Sequence, residues 1–94
     1  MLGLTRAVAA ELAPTIRCNA VCPGGIDTPM ARGLLASVPE DHRDELLAKL
    51  TGRQLIKRFA QPEEITQTLV FLMSDESSFL TGAVLAADGG HSAA

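Results

Sequence analysis

Two short apolar stretches, residues 16–22 and 83–87, flank residues 23–82, which carry helix signals and no hairpin turn. This spacing constrains the fold more than any other feature of the chain. Strands joined by a tight turn pair antiparallel, whereas strands joined through helices pair in parallel. The expectation is an α/β chain whose two strands lie side by side and parallel, with a helix crossing between them. A two-stranded sheet has both outer edges unpaired and buries little of its own surface. Yet hydrophobic residues make up 47% of the 94 residues, and with three Phe and no Trp or Tyr the content is aliphatic. Aliphatic side chains of this kind fill layered α/β cores, so the composition predicts neighbours for the sheet.

Periodicity places the remaining elements. Residues 1–13 read as a helix, because Leu4, Val8 and Leu12 recur at helical spacing with Arg6 and Glu11 off that face. No capping Ser, Thr, Asp or Asn precedes it, so the pattern is already running at Met1. Pro14 closes this helix, and residues 16–22 follow as a strand carrying Ile16 and Val21. Pro23, Gly24 and Gly25 break the strand, and Thr28 stands where it can cap a helix opening at Pro29. A second short helix is expected over residues 39–50, with Glu40 and Asp41 in its first turn and Gly52 at its end. The third helix, residues 62–73, has the clearest pattern: Pro62 leads, Glu63 and Glu64 follow, and Ile65, Leu69 and Leu72 line one face. Residues 75–78 read as a polar loop, and Asp88, Gly89 and Gly90 as a turn after the last strand.

Several function classes drop out. A formal charge of -3 offers no basic footprint for nucleic acid, which is held by clustered Lys and Arg. No apolar run approaches the roughly 20 residues of a membrane helix, and no leader pattern opens the sequence, so a cytoplasmic location is expected. Cys18 and Cys22 fall in the expected strand about 13 Å apart, too far for a disulfide, and read as buried free thiols. Neither has a His or Cys nearby to complete a metal site. Glu40, Asp41, Asp44 and Glu45 read as a solvated helix face, and His42 and His91 as surface residues. Arg17 is expected to anchor a neighbouring acidic or backbone group, and Asn19 to bond an adjacent loop.

Arg17, Asn19, Val21, Pro23, Gly24, Ile26, Thr28, Pro29 and Met30 resemble the R-x-N-x-V-x-P-G-x-I-x-T-P-M run of short-chain dehydrogenases/reductases. The run from Gly3 to Ala13, the P-E-E-I start at Pro62 and the D-G-G ending at Asp88 resemble further motifs of that family, so the likeness covers nearly the whole chain. It implies the C-terminal portion of a single doubly wound, Rossmann-type domain, ordered as helix, strand, lid helices, helix and strand. Before the P-E-E-I start the family often has a G-R-x-G-x run, where this chain has Lys57, Arg58, Phe59, Ala60 and Gln61.

By that resemblance Pro23, Gly24, Gly25, Ile26 and Thr28 face a nicotinamide cofactor, NAD or NADP. Pro23 and Gly24 end the strand without bulk, which leaves the main chain of Gly25 and Ile26 free to meet a ligand. Ile26 would bond the carboxamide through its backbone, and Thr28 would contact the carboxamide or a phosphate oxygen; for an unrelated chain the same residues are simply a turn and a helix cap. Residues 30–59 correspond to a substrate lid, with Met30, Leu34 and Leu35 on its apolar side, although these side chains equally suit a local core. The family's Gly-rich phosphate turn, its catalytic Ser and its Tyr-x-x-x-Lys pair would precede Met1, and the chain contains no Tyr. The implied function is a segment of an NAD(P)(H)-dependent oxidoreductase interconverting an alcohol and a ketone, for example a 3-oxoacyl reductase-like enzyme. In its full-length form it would be a homo-oligomer, a dimer or tetramer. The alternative is a truncated, non-enzymatic remnant or oligomerisation module.

Overall fold

The computed structural model describes residues 2–93. Helix α1 (Leu2–Leu12) leads into strand β1 (Ala20–Pro23), followed by α2 (Pro29–Ala36), a 3-10 turn (Glu40–His42) and α3 (Arg43–Thr51). Helix α4 (Pro62–Met73), a second 3-10 turn (Asp75–Ser77) and strand β2 (Val84–Ala87) complete the regular elements before a last 3-10 turn at His91–Ala93. The strands pair in parallel, in the register Ala20↔Val84 to Pro23↔Ala87, with α4 between them in sequence. Parallel pairing through helices is therefore borne out.

The first strand is shorter than its apolar run suggests. Ile16 is 55% exposed, and its N–H bonds back to the Leu12 carbonyl at 3.0 Å, which keeps residues 15–16 in a turn leaving α1. Its partner strand begins at Val84, and before Ala20 the two segments meet outside the ladder, with Gly82 N–H donating to the Cys18 carbonyl at 2.7 Å and Cys18 N–H to the Thr81 hydroxyl at 3.2 Å. Cys18 thus lies ahead of the strand, and both cysteines are free but only half-buried, not enclosed as expected. The expected helix over residues 39–50 is divided, because Glu40–His42 winds more tightly before α3 begins at Arg43.

Arg17 pins α4 to the entry of β1. Its guanidinium donates to the carbonyls of Leu72, Ser74 and Leu80 at 3.1, 3.2 and 3.2 Å, and to the Ser77 hydroxyl at 3.0 Å. The Leu72 and Ser74 carbonyls lie at the C-terminal end of α4, where helix carbonyls lack helical partners, and both also accept from the Ser77 hydroxyl at 2.9 and 3.1 Å. Asn19 bridges the same loop to β2, donating to the Leu80 carbonyl at 3.0 Å and accepting the Ala83 N–H at 2.9 Å. Both residues are structural, as expected.

Few apolar side chains are enclosed. Among the described residues the buried hydrophobics are Ala9 and Leu72, while Leu4, Met30, Met73 and Phe79 stand largely in the open. The accessible surface is 6639 Å², against about 5,200 Å² for a compact monomer of this mass. The radius of gyration is 16.5 Å, where a closed domain of this length has about 12 Å. The aliphatic excess seen in the sequence is real, and this chain does not cover it by itself.

Candidate functional site

The C-terminal end of β1 delivers the chain into residues 24–28, where parallel-sheet proteins characteristically hold ligands. Three contacts fix this loop. Gly24 N–H bonds the Ala87 carbonyl at 3.1 Å, continuing the ladder one residue past the strand. Ala60 N–H donates to the Gly25 carbonyl at 2.8 Å, and Asp27 N–H donates to the Ala60 carbonyl at 2.7 Å. Together these make Ile26 and Ala60 an isolated parallel bridge. In such a bridge the bonds run through the residues flanking Ile26, so the N–H and C=O of Ile26 itself point to the opposite side. Neither has a hydrogen-bond partner among the described residues.

Gly25 differs from its expected role. Its N–H is taken by the Gln54 side chain at 3.2 Å and its C=O by Ala60, so of these two residues Ile26 alone presents main-chain groups without a partner among the described residues. The two glycines serve the fold's own packing. A Cβ on Gly24 would lie 2.8 Å from Gln54 Oε1 and 3.0 Å from Asp88 Cα, and one on Gly25 would lie 2.7 Å from the Phe59 ring. Two cavities touch this loop, of about 220 and 400 Å³, and both include Gly24, Gly25, Gln54 and Asp88 in their walls. Neither is lined by Ile26 or Thr28, both of which are half-buried.

Thr28 caps α2 as its position predicts: its Oγ1 accepts the Ala31 N–H at 3.2 Å, and Pro29 fills the first turn without a lost donor. Accepting this bond leaves the hydroxyl proton available for a second partner. Beside it, Asp27 and Arg32 form a paired contact at 2.8 and 3.1 Å. That bond from Arg32 holds the Asp27 carboxyl below its usual range, assisted by Gln61, and in return raises the guanidinium.

The lid residues divide. Met30 is 84% exposed and Leu34 is 47% exposed, whereas Leu35 is half-buried, and α2 encloses no residue. Met30 and Leu34 therefore do not close a core within this chain. Helix α3 is tied down at its far end, where Thr51 is buried and bonds the Leu47 carbonyl, and Gly52 takes a positive φ of 52° to stop the helix. The acidic residues Glu40, Asp41, Asp44 and Glu45 are exposed, and His42 meets Asp41 and Glu45 only at 3.9 and 3.8 Å. No group of metal-ligating side chains assembles among the described residues.

Sequence reasoning missed Gln54. It is 4% exposed, and its amide reaches the loop from the lid's returning segment. Little in the local sequence points to it, because Gln54 follows Arg53 and only Leu55 and Ile56 separate it from Lys57. The segment with the unusual Lys57 and Ala60 also settles into a definite conformation. Lys57 donates to the Gly52 carbonyl at 2.8 Å, and Ala60 makes the bridge to Ile26.

The family model described as enoyl-(acyl carrier protein) reductase, one branch of the dehydrogenases named above, matches residues 1–92. The chain belongs to the short-chain dehydrogenase/reductase family. It is 47% identical over 92 residues to a cis-4-hydroxycyclohexanecarboxylate dehydrogenase of Sinomonas cyclohexanicum, a match covering 97% of this chain and 34% of that protein. The chain thus spans about a third of the length of such family members. Aldohexose dehydrogenase of Thermoplasma acidophilum, as a C-terminal deletion mutant, superposes with a TM-score of 0.83 at 36% identity, over 99% of this chain and 42% of that one. A putative NAD(P)-dependent gluconate 5-dehydrogenase of Beutenbergia cavernae, with bound NADP, superposes with a TM-score of 0.77 at 40% identity, over 99% and 35%. The fold is accordingly part of the family's Rossmann-type sheet. Among the described residues no helix is long and apolar enough to cross a membrane.

Proposed function

We propose that this chain supplies the nicotinamide-facing loop and the substrate lid of an NAD- or NADP-dependent oxidoreductase that interconverts an alcohol and a ketone. The observation that carries this reading is Ile26, whose N–H and C=O are both unpartnered among the described residues and share one side of the loop. One donor beside one acceptor matches a carboxamide, which offers a carbonyl and an amino group. When bound, the nicotinamide ring gives or takes the hydride. Ile26 would fix the ring's carboxamide, and Thr28 would add its free hydroxyl proton to the carboxamide or a phosphate oxygen. Pro23, Gly24 and Gly25 hold that surface in place. Met30, Leu34 and Leu35 would cover the substrate and keep water from the reacting carbons, which need near-contact geometry.

Proton transfer falls outside these residues. The 94 residues include no Tyr, so the tyrosine, lysine and serine that the family uses would come from elsewhere in the complete protein. That protein would work in the cytoplasm as a homo-oligomer, which would also cover part of the exposed aliphatic surface. The test follows amide exchange of the complete protein during titration with NADH and NADPH. The Ile26 amide is expected to slow on binding one of them, and secondary alcohols to be oxidised with the matching oxidised cofactor. Binding that leaves the Ile26 amide unchanged would place the carboxamide elsewhere and overturn the assignment.

A further inference from the structure

We propose that Gln54 is the positioning residue of this loop: its side-chain amide sets where Gly25, and through it Ile26, presents main-chain groups to a nicotinamide. This rests on the reading of the loop given above and adds to it a residue from the opposite end of the lid. The Gln54 amide lies where three backbones meet. Its Oε1 accepts the Gly25 N–H at 3.2 Å, and its Nε2 donates to the carbonyls of Ile56 and Arg58, both at 3.1 Å. One N–H and two C=O partners fix the orientation of the amide, since the flipped form would set donor against donor and acceptor against acceptor.

The surroundings are shaped to this side chain. A Cβ on Gly24 would lie 2.8 Å from Oε1, and one on Gly89 would lie 3.1 Å from Nε2. The Gly89 carbonyl in turn accepts the N–H groups of Leu55 and Ile56, both at 2.8 Å, so the turn after β2 fixes the segment carrying Gln54. Filling this space does not require an amide, because a buried apolar side chain of similar volume packs as well. What the amide adds is direction. Ala60 holds the Gly25 C=O and the Asp27 N–H, and on that same side of the loop the Gly25 N–H has the Gln54 amide as its partner. The bond from Gly25 to Gln54 adds a third tie there, and because residues 54–58 are the lid's return path it also couples the lid's anchor to the cofactor surface.

The test compares Gln54→Met, of similar length without polar atoms, and the milder Gln54→Asn with the unsubstituted complete protein. Dissociation constants are measured for the reduced dinucleotide that binds more tightly, NADH or NADPH, and for the corresponding ADP-ribose or its 2′-phosphate, which lacks the nicotinamide. Gln54→Met is expected to weaken the dinucleotide about tenfold, to leave the ring-less fragment within about twofold, and to speed exchange of the Gly25 amide at least about tenfold. Gln54→Asn should fall between. Equal weakening of both ligands identifies a general folding role and overturns the proposal, as does an unchanged dinucleotide affinity. If Gln54→Met does not fold, the Gln54→Asn comparison decides in the same way. An unsubstituted protein that binds dinucleotide no better than fragment would instead remove the nicotinamide reading of the loop itself.

Discussion

Arg58 and Glu64 form a two-pronged ion pair at 2.7 and 3.0 Å, and the same Glu64 carboxylate accepts the Gln61 N–H at 2.8 Å. One side chain thus closes the start of α4 and holds the segment leading back from the lid, next to Ala60 and its bridge to Ile26. A Glu three residues into a helix, reaching back to the residue before it, is half of a capping box.

The Arg58 guanidinium, followed by the Gln61 N–H, lowers the Glu64 pKa from 4.5 to about 2. A carboxyl whose folded pKa is depressed adds stability above its unfolded pKa and loses it as pH falls through the folded one. The contribution is therefore present at neutral pH and declines between about pH 4.5 and 2. Both side chains are about half-exposed, so salt should weaken it. Carboxyl-carbon NMR is expected to find a Glu64 midpoint near 2 that climbs toward 4.5 in Arg58→Met. A midpoint unmoved by the substitution would assign the shift to some other group.

Thr28→Val keeps volume and removes one hydroxyl. Loss of the cap on α2 should cost about 1 kcal/mol of stability, and loss of a bond to the cofactor a further 1 to 2 kcal/mol in binding or hydride transfer. Thr28→Ser should restore both. Melting temperature and NAD(P)H affinity, measured on the complete protein, separate the two roles: a lowered melting temperature with unchanged affinity makes Thr28 a cap alone.

How far the fold could be read from sequence depended on how local its determinants are. Helix α4 was legible to the residue because Pro62, Glu63, Glu64 and the Ile65, Leu69, Leu72 face all act within one element. The start of β1 was not, because Ile16 is as apolar as a strand residue and only the partner's first residue, Val84, limits the ladder. Thr28 was found because a cap and its helix adjoin. Gln54 was not, since its partners at Gly25, Ile56 and Arg58 meet only once the lid segment has folded back on the loop.

Arg17→Met should destabilise the complete protein by about 3 kcal/mol, because four acceptors at the end of α4 and in the segment that follows it lose a charged donor together. Arg17→Lys should recover only part, as an ammonium is a point donor and cannot span the Leu72, Ser74 and Leu80 carbonyls as a planar fork does. Urea unfolding with an unchanged slope is the measurement. A loss under about 0.5 kcal/mol would mean that water replaces the guanidinium without penalty.

Gly90 has a φ of 87°, and a Cβ there would lie 2.9 Å from Leu55 Cδ1 and 3.0 Å from its Cβ. Gly90→Ala combines backbone strain with a contact of which the Leu55 side chain, 65% exposed, can relieve only the part beyond its own Cβ by turning outward. The expected cost is about 1 to 3 kcal/mol from the backbone alone, and Leu55→Ala should not rescue it. Full rescue by Leu55→Ala would show that crowding, not the dihedral, fixes glycine at this turn.

The 94-residue chain on its own is expected to have no dehydrogenase activity and to self-associate. Ile26 and Thr28 meet only one end of a dinucleotide, and the sequence holds no Tyr to carry the carbonyl proton and no Gly-rich turn to hold the phosphates. Binding through so few contacts should be weaker than about 1 mM, where only about 4 kcal/mol of association free energy is gained. The surface argument points the same way. With 6639 Å² accessible, both outer sheet edges unpaired among the described residues, and Leu4, Met73 and Phe79 exposed, the chain presents edges and apolar patches that attract further copies. Calorimetric titration with NADH and NADPH, absorbance of the reduced nicotinamide with a panel of ketones, and sedimentation over a range of concentrations test the three parts. Micromolar binding or sustained turnover would mean that these residues hold a cofactor and move a proton by groups other than those the family employs. A stable monomer at high concentration would mean that the aliphatic surface tolerates water without a covering partner.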